Sequence, residues 1–383
     1  MIARSQLAET IRRTLAENPV AVLLGPRQCG KTTVARQIAA EEAHEFFDLE
    51  DAADFARLEA PRLALENIRT LVVIDEVQRK PELFNVLRVL VDRPESTARF
   101  LLLGSASPHL VRGVSESLAG RAGIVEMSGF DVREIGSEHF QPLWTRGGFP
   151  RSYLANTEDA SYRWRQDFIR TFLERDIPQL GISIPAERLR RFWTMIAHYH
   201  GQVWNAAEFA SSLGAAENTA RRYLDLLSGA YVVRQLQPWH ENLKKRQVKA
   251  PKIYVRDSGL LHALLSLQDA REVSSHPKYG ASWEGFALEQ ILAITTTRDA
   301  YFWAVHSGAE LDLFLMRGGR RLGFEFKLDD APRLTPSLRT ATVDLKLDRA
   351  FIIYPGAKTY ALDERTTAVG MGDPRTILSE TLA

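Results

Sequence analysis

One glycine-rich turn constrains this chain more than any other stretch. It lies in VAVLLGPRQCGKTTVARQIAA (20–40), which is predicted to form an apolar strand, a turn and a helix. The turn has the spacing G-x-x-x-x-G-K-[ST]. Glycines let the backbone curl so that its N–H groups point at phosphate oxygens, and the start of the following helix adds a favourable partial charge. The turn therefore predicts a phosphate cradle built from Gly25, Pro26, Arg27, Gln28, Cys29, Gly30, Lys31, Thr32 and Thr33.

Two side chains of the cradle have expected roles toward ATP. Lys31 would reach the β- and γ-phosphates, and the Thr32 hydroxyl would join the oxygen shell of Mg²⁺. A second apolar strand, in TLVVIDEVQRKPELFNVLRVLVD (70–92), ends in Asp75 and Glu76, and a buried parallel strand of this kind opens on a ligand crevice at its carboxyl end. We predict that Asp75 holds Mg²⁺ and that Glu76 polarises the attacking water. The second acid favours ATP hydrolysis over ATP binding alone.

Two further polar positions are candidates for the same chemistry. The strand RFLLLGSAS (99–107) ends in Ser105 and Ser107, either of which would sense the γ-phosphate or form a local turn. Arg121, in the small-residue loop of LAGRAGIVEMSGF, either stabilises transition-state charge or is an ordinary surface arginine. In the first role it would act within its own chain or from a neighbouring subunit, so a homo-oligomer is one expected assembly.

Composition narrows the class of protein. A length of 383 residues predicts two to four domains, and 45% hydrophobic residues supply large cores. The formal net charge of +1 favours neither a nucleic-acid nor a membrane partner, so a nucleic-acid surface would be a local patch. The single cysteine, Cys29, excludes an internal disulfide and is typical of the cytoplasm. Because the apolar runs are too short to span a bilayer, we expect a cytoplasmic protein with no membrane partner.

These motifs resemble those of the AAA+ class of P-loop ATPases. The resemblance rests on a Walker A motif at 25–32, a Walker B motif at Asp75 and Glu76, and a sensor-like Ser105. More narrowly, the stretches GPRQCGKTT, VVIDEVQRKPEL, LLLGSAS, LAGR and GGFP resemble a family of prokaryotic ATP-binding proteins. Members of that family carry a C-terminal domain of unknown function that resembles restriction-type nucleases. The resemblance implies ATP hydrolysis with Mg²⁺ at the N-terminal motifs.

The middle of the chain is predicted to be mainly helical. SYRWRQDFIRTFLERDIPQLG (161–181) has the apolar spacing of one helical face, and the AAA+ resemblance implies a small helical lid here. That face would consist of Trp164, Phe168, Ile169, Phe172 and Leu173. WNAAEFASSLGAAENTARRYLDLLSGAYVVRQLQPW (204–239) has a short helix, a turn at Gly214, a second helix and a β-prone end, which predicts a winged helix-turn-helix.

This segment has two candidate partners. The second helix would place Glu217, Asn218, Thr219, Arg221 and Arg222 near the major groove of DNA. The wing that follows, KKRQVKAPK (244–252), packs five basic residues into nine and suits phosphate contacts. Winged helices also serve as protein–protein modules, and a charge run is usually a solvated face. DNA and a protein partner therefore both fit.

ELDLFLMRGGRRLGFEFK (310–327) is predicted to be a β-hairpin with Gly318-Gly319 as its two-residue turn. Residue 317 then pairs with 320, and Asp312 stands opposite Glu325. Because side chains alternate between the two faces of a strand, the hairpin places on one face Glu310, Asp312, Glu325 and Lys327. The other, apolar face would consist of Leu311, Leu313, Leu315, Leu322, Phe324 and Phe326. Facing carboxylates destabilise a strand pair by about 0.5 kcal/mol. We therefore predict that a divalent cation bridges them and that Lys327 helps to position or deprotonate a water.

The surrounding order of elements extends this prediction. We predict a helix over 282–296, strands near 300–304, 310–316 and 321–327, a helix over 335–345 and a strand over 349–354. This αβββαβ order, with the pattern D-x(12)-E-x-K, resembles the PD-(D/E)XK nuclease fold. The resemblance implies metal-ligand roles for Asp312 and Glu325 and a catalytic role for Lys327. It also implies an acid from the first helix, for which Glu284 matches best and Glu289 second. Such a site would take a second Mg²⁺ or Mn²⁺, although nuclease folds also persist as binding or assembly modules.

The whole chain is therefore predicted to be an α/β multidomain protein. Its expected parts are an AAA+ P-loop core with a parallel sheet (1–135), a helical lid or linker (136–184), a winged helix (185–256) and a PD-(D/E)XK nuclease-like domain (257–383). The leading function is a Mg²⁺-dependent ATPase that couples ATP binding and hydrolysis to DNA binding or processing. One alternative is an ATP-dependent switch with protein partners, in a defence or toxin–antitoxin setting, whose nuclease-like domain is inactive. Another is an ATP-gated, metal-dependent nuclease.

Overall fold

The computed structural model describes residues 2–95, 97–105, 108–179, 184–241, 247–297, 299–306, 308–373 and 379, with the backbone alone at 108–112. These residues form two compact units. The first comprises Met1–Gly129 and Gly229–Tyr231, and the second comprises Phe130–Ser228 and Val232–Ala383. Within the described ranges, no helix is both long and apolar enough to cross a membrane.

The first unit is built on a parallel sheet. Its helices are α1 (Ser5–Glu17), α2 (Lys31–Ala39), α3 (Ala52–Arg57), α4 (Pro61–Leu65), α5 (Leu83–Val91) and α6 (Pro108–Ser117). Its strands are β1 (Val20–Gly25), β2 (His44–Asp48), β3 (Leu71–Asp75), β4 (Arg99–Ser105) and β5 (Ala122–Glu126). They form a five-stranded sheet with the order β2-β3-β4-β1-β5. β1 and β3 are buried along their whole length, as expected of parallel strands.

The strand register brings the predicted site residues to one edge of this sheet. β1 pairs with β4 so that Gly25 lies opposite Ser105, and β3 lies on the other side of β4. Asp75 is the last residue of β3, and Lys31 is the first residue of α2. Because the strands are parallel, their carboxyl ends meet at one edge, where ligands bind in open sheets of this kind.

The second unit begins with helices. They are α7 (Val132–Ile135), α8 (Phe140–Arg146), α9 (Pro150–Tyr153), α10 (Glu158–Thr171) and α11 (Ile177–Gln179), and α10 continues as a π-helical turn at Phe172–Asp176. Phe168, Ile169, Phe172 and Leu173 are buried, which confirms the predicted apolar face there, and Trp164 is half-buried. Residues 180 and 181, at the end of the predicted helix, lie outside the described residues, as do 182 and 183.

A helix-turn-helix arrangement follows. Its elements are α12 (Ala186–His198), β6 (Gln202–Val203), α13 (Ala206–Leu213), α14 (Glu217–Gly229), β7 (Val233–Pro238) and β8 (Lys252–Val255). Gly214, whose φ of 60° is left-handed, caps the C-terminal end of α13, and α14 begins shortly after it. The predicted order of helix, glycine turn, helix and strand is confirmed, and the winged-helix assignment stays a prediction. Of the predicted wing, residues 244–246 lie outside the described residues.

The rest of the second unit contains α15 (Ser258–Leu264), α16 (Ala270–Ser275), α17 (Tyr279–Thr295), β9 (Ala300–Ala304), β10 (Glu310–Arg317), β11 (Arg320–Phe326), α18 (Pro336–Asp344), β12 (Arg349–Tyr354), β13 (Thr359–Ala361) and β14 (Thr366–Gly370). The predicted αβββαβ order is confirmed from α17 to β12, and the resemblance of this part to a nuclease stays a prediction. The sheet has nine strands in the order β13-β14-β12-β11-β10-β9-β7-β8-β6. The strands of the helix-turn-helix segment are therefore continuous with the C-terminal sheet.

The register of the β10–β11 hairpin is confirmed from its turn to the Leu313–Phe324 pair, and the facing of Asp312 and Glu325 stays a prediction. The simple alternation of side chains along β10 is interrupted. Arg317 pairs with Arg320 and Leu313 with Phe324, as the two-residue turn predicts. The six residues predicted for the apolar face are at most 6% exposed. However, the pairing of β10 with β9 shifts between Leu311 and Phe314, and these two residues lie in the same apolar cluster. This bulge places Phe314 in the core, although strict alternation along the strand would put it on the face of Glu310 and Asp312.

Candidate functional site

The phosphate cradle is a tight turn between β1 and α2. Gln28 and Gly30 adopt left-handed backbone conformations with φ of 61° and 101°. At Gly25 a Cβ atom would lie 2.2 Å from the carbonyl oxygen of Met127. Only glycine therefore fits at this position, where the turn leaves β1. Cys29 is fully buried, and Arg4 donates to its carbonyl oxygen at 3.4 Å. The cradle is thus a packed part of the first unit.

Lys31 is buried within the cradle. Its Nζ donates to the carbonyl oxygens of Gly25 at 3.1 Å and Pro26 at 2.9 Å, and the residue is 6% exposed. The ammonium is therefore held over the turn whose N–H groups would receive phosphate oxygens. This position fits the predicted phosphate-binding role of the lysine.

Thr32 and Asp75 are in direct contact. The Thr32 hydroxyl donates to Oδ2 of Asp75 at 2.6 Å, and the Glu76 N–H donates to Oδ1 at 2.9 Å. Burial raises the pKa of Asp75, the Glu76 charge raises it further, and the hydrogen bonds and the Lys31 charge oppose the shift. A hydroxyl and a carboxylate this close are the hard oxygen donors that Mg²⁺ prefers. These two residues fit the magnesium ion that a P-loop ATPase uses.

Glu76 is held by several side chains. Its backbone is left-handed, with φ of 53°, immediately after β3. Gln78 donates to its carboxylate through Nε2, and the Ser105 hydroxyl lies 3.4 Å from both carboxylate oxygens. Nη2 of Arg27 lies 3.9 Å from Oε2 of Glu76 and 3.3 Å from Glu50. The structure thus brings the predicted acid, the sensor-like serine and one cradle residue together. Ser107 lies outside the described residues.

Arg121 contacts an acid of the same unit. Its guanidinium donates to both carboxylate oxygens of Asp92, at 2.6 and 2.8 Å, and to the carbonyl oxygen of Ala119 at 2.9 Å. This pairing raises the pKa of Arg121 and lowers that of Asp92. The predicted transition-state role would require Arg121 to leave Asp92, and it stays a prediction.

The acids predicted for a metal site near the C-terminus have other partners. Glu284 of α17 and Asp312 of β10 face Lys252 of β8, whose Nζ lies 3.2 Å from Oε1 of Glu284 and 3.7 Å from Oδ1 of Asp312. Asp312 also accepts from the Phe326 N–H at 2.9 Å. Burial and the Glu284 charge raise the pKa of Asp312 to about 7, against the effect of Lys252. A lysine therefore lies beside Glu284 and Asp312, two of the three acids predicted as metal ligands.

Glu325 belongs to a different set of contacts. It accepts from the Thr335 hydroxyl at 2.8 Å and pairs with Nζ of Lys327 at 2.8 Å. Among the residues that the structure describes, no three His, Cys, Asp or Glu side chains are grouped so as to hold a metal ion. Asp312, Glu325 and Glu284 therefore do not fit a shared divalent cation as they lie. Glu289, the second candidate on α17, pairs with Arg234 and Arg256 instead.

The helix-turn-helix segment presents polar side chains at the start of α14. Glu217, Asn218, Arg221 and Arg222 are exposed, and Thr219 is half-buried. Arg221 pairs with Glu217 at 3.4 Å, one helical turn away. Lys252, counted above in a solvated basic wing, is 4% exposed, so that assignment is wrong for this residue. Its strand pairs on both sides inside the sheet, which buries it.

Two residues near these sites are absent from the sequence-based candidates, and a third, Lys252, was assigned only to the basic wing. Gln78 and Glu50 contact the Glu76–Arg27 pair, and Lys252 joins three acids. Gln78 could have been found from its position two residues after Glu76 at the end of an apolar strand. Glu50 and Lys252 carry no such local pattern, because their contacts come from the pairing of strands distant in sequence.

Family models match most of the chain. An AAA domain model covers 17–136, and two domains of unknown function, DUF8612 and DUF4143, cover 137–271 and 279–373. The AAA match contains the parallel sheet, the cradle and the acids that end β3.

Two curated mycobacterial proteins are similar over nearly the whole chain. They are the uncharacterized proteins Mb2031c of Mycobacterium bovis and Rv2008c of Mycobacterium tuberculosis. Each is 51% identical over 369 residues, which cover 96% of this chain and 84% of the relative. Among solved structures, the Walker-type ATPase PABY2304 of Pyrococcus abyssi matches with a TM-score of 0.51 at 16% identity, over 69% of this chain and 96% of that one. At this identity the match shows a shared fold alone. The chain thus belongs to the family of the two mycobacterial proteins and has the fold of an AAA-type P-loop ATPase.

Proposed function

We propose that the chain is a Mg²⁺-dependent ATPase of AAA+ type whose nucleotide cycle is coupled to DNA binding. One observation carries the ATPase part. Thr32 and Asp75 are hydrogen-bonded at 2.6 Å, and Lys31 and Glu76 lie next to them in the chain. This is the set of groups needed to bind a triphosphate with its metal and to activate a water.

Each residue has a role in this proposal. The cradle N–H groups and Lys31 bind the phosphates, while Thr32 and Asp75 would hold Mg²⁺, which supplies charge neutralisation when bound. Glu76 takes the proton of the attacking water, and Ser105 keeps its carboxylate at the γ-phosphate side. Arg121 is proposed to add positive charge in the transition state, within the chain or from a neighbouring copy in a homo-oligomer.

Coupling to DNA is proposed through α14. Its exposed Arg221 and Arg222 lie at the start of the second helix of a helix-turn-helix, where such folds contact the major groove. The surrounding residues 136–184 and 185–256 are proposed as the lid and the winged helix that respond to nucleotide. We propose that this occurs in the cytoplasm.

DNA-stimulated ATP turnover tests the proposal. We expect duplex DNA to raise steady-state ATP hydrolysis, Lys31→Ala to abolish it, and Arg221→Ala/Arg222→Ala to remove the stimulation while leaving the basal rate. Arg163→Ala/Arg170→Ala, which removes two exposed arginines of α10, is the matched control. ATP hydrolysis that is unchanged by DNA, together with no salt-sensitive DNA binding, would exclude the coupling.

A second candidate is an ATP-dependent switch with protein partners, in which the C-terminal αβββαβ segment (257–383) is an inactive relative of nucleases. The contact of Lys252 with Glu284 and Asp312 favours this candidate over an ATP-gated nuclease with Mg²⁺ or Mn²⁺ at those acids. Absence of DNA stimulation with intact ATP turnover would select the switch.

A further inference from the structure

Three carboxylates of the second unit face one buried ammonium. Nζ of Lys252 contacts Glu310, and it lies 3.2 Å from Glu284 and 3.7 Å from Asp312. The lysine side chain is 5% exposed, whereas those of Glu284, Asp312 and Glu310 are 21%, 14% and 41% exposed. Tyr254 donates to the same Glu284 oxygen at 2.6 Å. The cluster therefore carries its own cation inside the protein.

The backbone holds this cation in place. β8 lies between β7 and β6 in the sheet, and Lys252 pairs with Leu236 on one side and Val203 on the other. Its side chain also passes within 5.7 Å of the Phe302 ring centroid. An ammonium fixed at this point leaves no room for a divalent ion, which needs several oxygens at roughly 2.0–2.6 Å and would repel the lysine.

We infer that Lys252 is the resident cation of the Glu284–Glu310–Asp312 cluster and takes the place of a divalent metal beside Glu284 and Asp312, two of the three acids predicted as metal ligands. The ion pairs of this cluster, which we call the ion-pair joint, then hold β8 of the helix-turn-helix segment against α17 and β10. One carboxylate of α17 and two of β10 attract the ammonium of β8, and removing the ammonium leaves them facing each other without compensation. This inference is independent of the proposed ATPase activity.

Manganese binding tests whether the cluster holds a divalent metal ion. Mn²⁺ bound to the full chain without nucleotide is counted by electron paramagnetic resonance in wild type, Asp312→Asn and the milder Glu310→Gln. We expect the same number of bound ions in all three, because Lys252 already neutralises the cluster. Loss of one bound Mn²⁺ in either variant would overturn the inference.

Unfolding in urea tests whether the ion-pair joint stabilises the second unit. All seven tryptophans of the chain lie in the second unit, so their fluorescence in urea reports on that unit. Lys252→Met is expected to lower the urea midpoint, and Lys249→Met, at an exposed lysine of the same segment, is expected to leave it unchanged. In Lys252→Met/Asp312→Asn the loss should be smaller than the sum of the two single losses. Strictly additive losses, or equal midpoints for the two lysine variants, would contradict the joint.

Discussion

The Thr32 hydroxyl donates a 2.6 Å hydrogen bond to Oδ2 of Asp75 and so joins the helix after the phosphate cradle to the acid that ends β3. The two residues are far apart in sequence and meet because β1 and β3 end at the same edge of a parallel sheet. A magnesium ion bound to ATP would use these two oxygens.

Thr32→Val keeps the shape of the side chain and removes its oxygen. We expect the Mg²⁺-dependent rate of ATP hydrolysis to fall by about 10²-fold, equivalent to ~2.7 kcal/mol of transition-state stabilisation. Thr32→Ser, which keeps the hydroxyl, should retain most of the activity. A magnesium titration of steady-state turnover measures this, and an unchanged curve for Thr32→Val would show that the hydroxyl is not a ligand.

Substitutions in the Arg121–Asp92 pair distinguish a catalytic role of Arg121 from a structural one. If Arg121 stabilises transition-state charge, Arg121→Ala lowers kcat by about 10³-fold or more, while Asp92→Ala, which only frees the guanidinium, keeps turnover. If the pair is purely structural, neither variant changes kcat and both shift the unfolding midpoint. Turnover and thermal unfolding of the same two variants decide between these outcomes.

Arg165 is a fully buried cation in α10. Its guanidinium donates to the carbonyl oxygens of Thr145, Gly259 and Gln268 at 3.1 to 3.3 Å, and burial lowers its pKa to about 10. Arg165→Met removes three buried hydrogen bonds to these carbonyls, so we expect a loss of about 3 kcal/mol or more in unfolding free energy.

Arg163, two residues away and 71% exposed, provides the control for Arg165. Arg163→Met should change the unfolding free energy by less than about 0.5 kcal/mol. Urea unfolding, monitored by tryptophan fluorescence, compares Arg165→Met with Arg163→Met. Similar losses in both variants would show that the buried hydrogen bonds contribute little.

The buried His262 predicts acid sensitivity. Its Nδ1 lies 2.9 Å from the Thr145 carbonyl oxygen and its Nε2 lies 2.7 Å from the Ser282 hydroxyl, so Nδ1 donates and Nε2 accepts in a neutral ring. Burial lowers its pKa to about 3. Between pH 6.5 and 3 the unfolded chain binds a proton that the folded chain does not, so stability falls as pH falls. At pH 5 the free energy of unfolding is lower by about 2 kcal/mol.

Urea unfolding at pH 7 and pH 5 measures this loss. His262→Gln should reduce the difference between the two pH values, and His198→Gln, at an exposed histidine of α12, should leave it unchanged. Burial also lowers the pKa of His200, to about 4, so part of the pH dependence remains in His262→Gln. An identical pH dependence in wild type and His262→Gln would mean that the ring is protonated in the folded chain.

Much of the local structure could be predicted from the sequence. The hairpin register follows from Gly318-Gly319, whose φ values of 55° and 79° fit a two-residue turn that only glycine adopts readily. The cradle follows in the same way from glycine spacing and an apolar strand. In both cases the determining contacts lie within a few residues, where sequence patterns carry most information.

The errors come from contacts between distant strands. The bulge near Phe314 arises where β10 pairs with β9, and the burial of Lys252 arises where β8 pairs with β7 and β6. Lysine in a basic run predicts a solvated surface, and nothing within that run shows that its last residue starts an interior strand. Glu310 and Asp312 were predicted to cluster with Glu325 and Lys327, but they contact Lys252, while Glu325 pairs with Lys327.

Single-turnover ATP hydrolysis by wild type and Glu76→Gln, with Mg²⁺ and matched measurements of ATP affinity, tests the central claim most directly. The substitution removes the proton acceptor while keeping a side chain that can contact Ser105 and Gln78. We predict that ATP binds with near wild-type affinity and that the rate falls by about 10²-fold or more. Hydrolysis by Glu76→Gln at the wild-type rate would contradict the assignment of this edge of the sheet as the hydrolytic site.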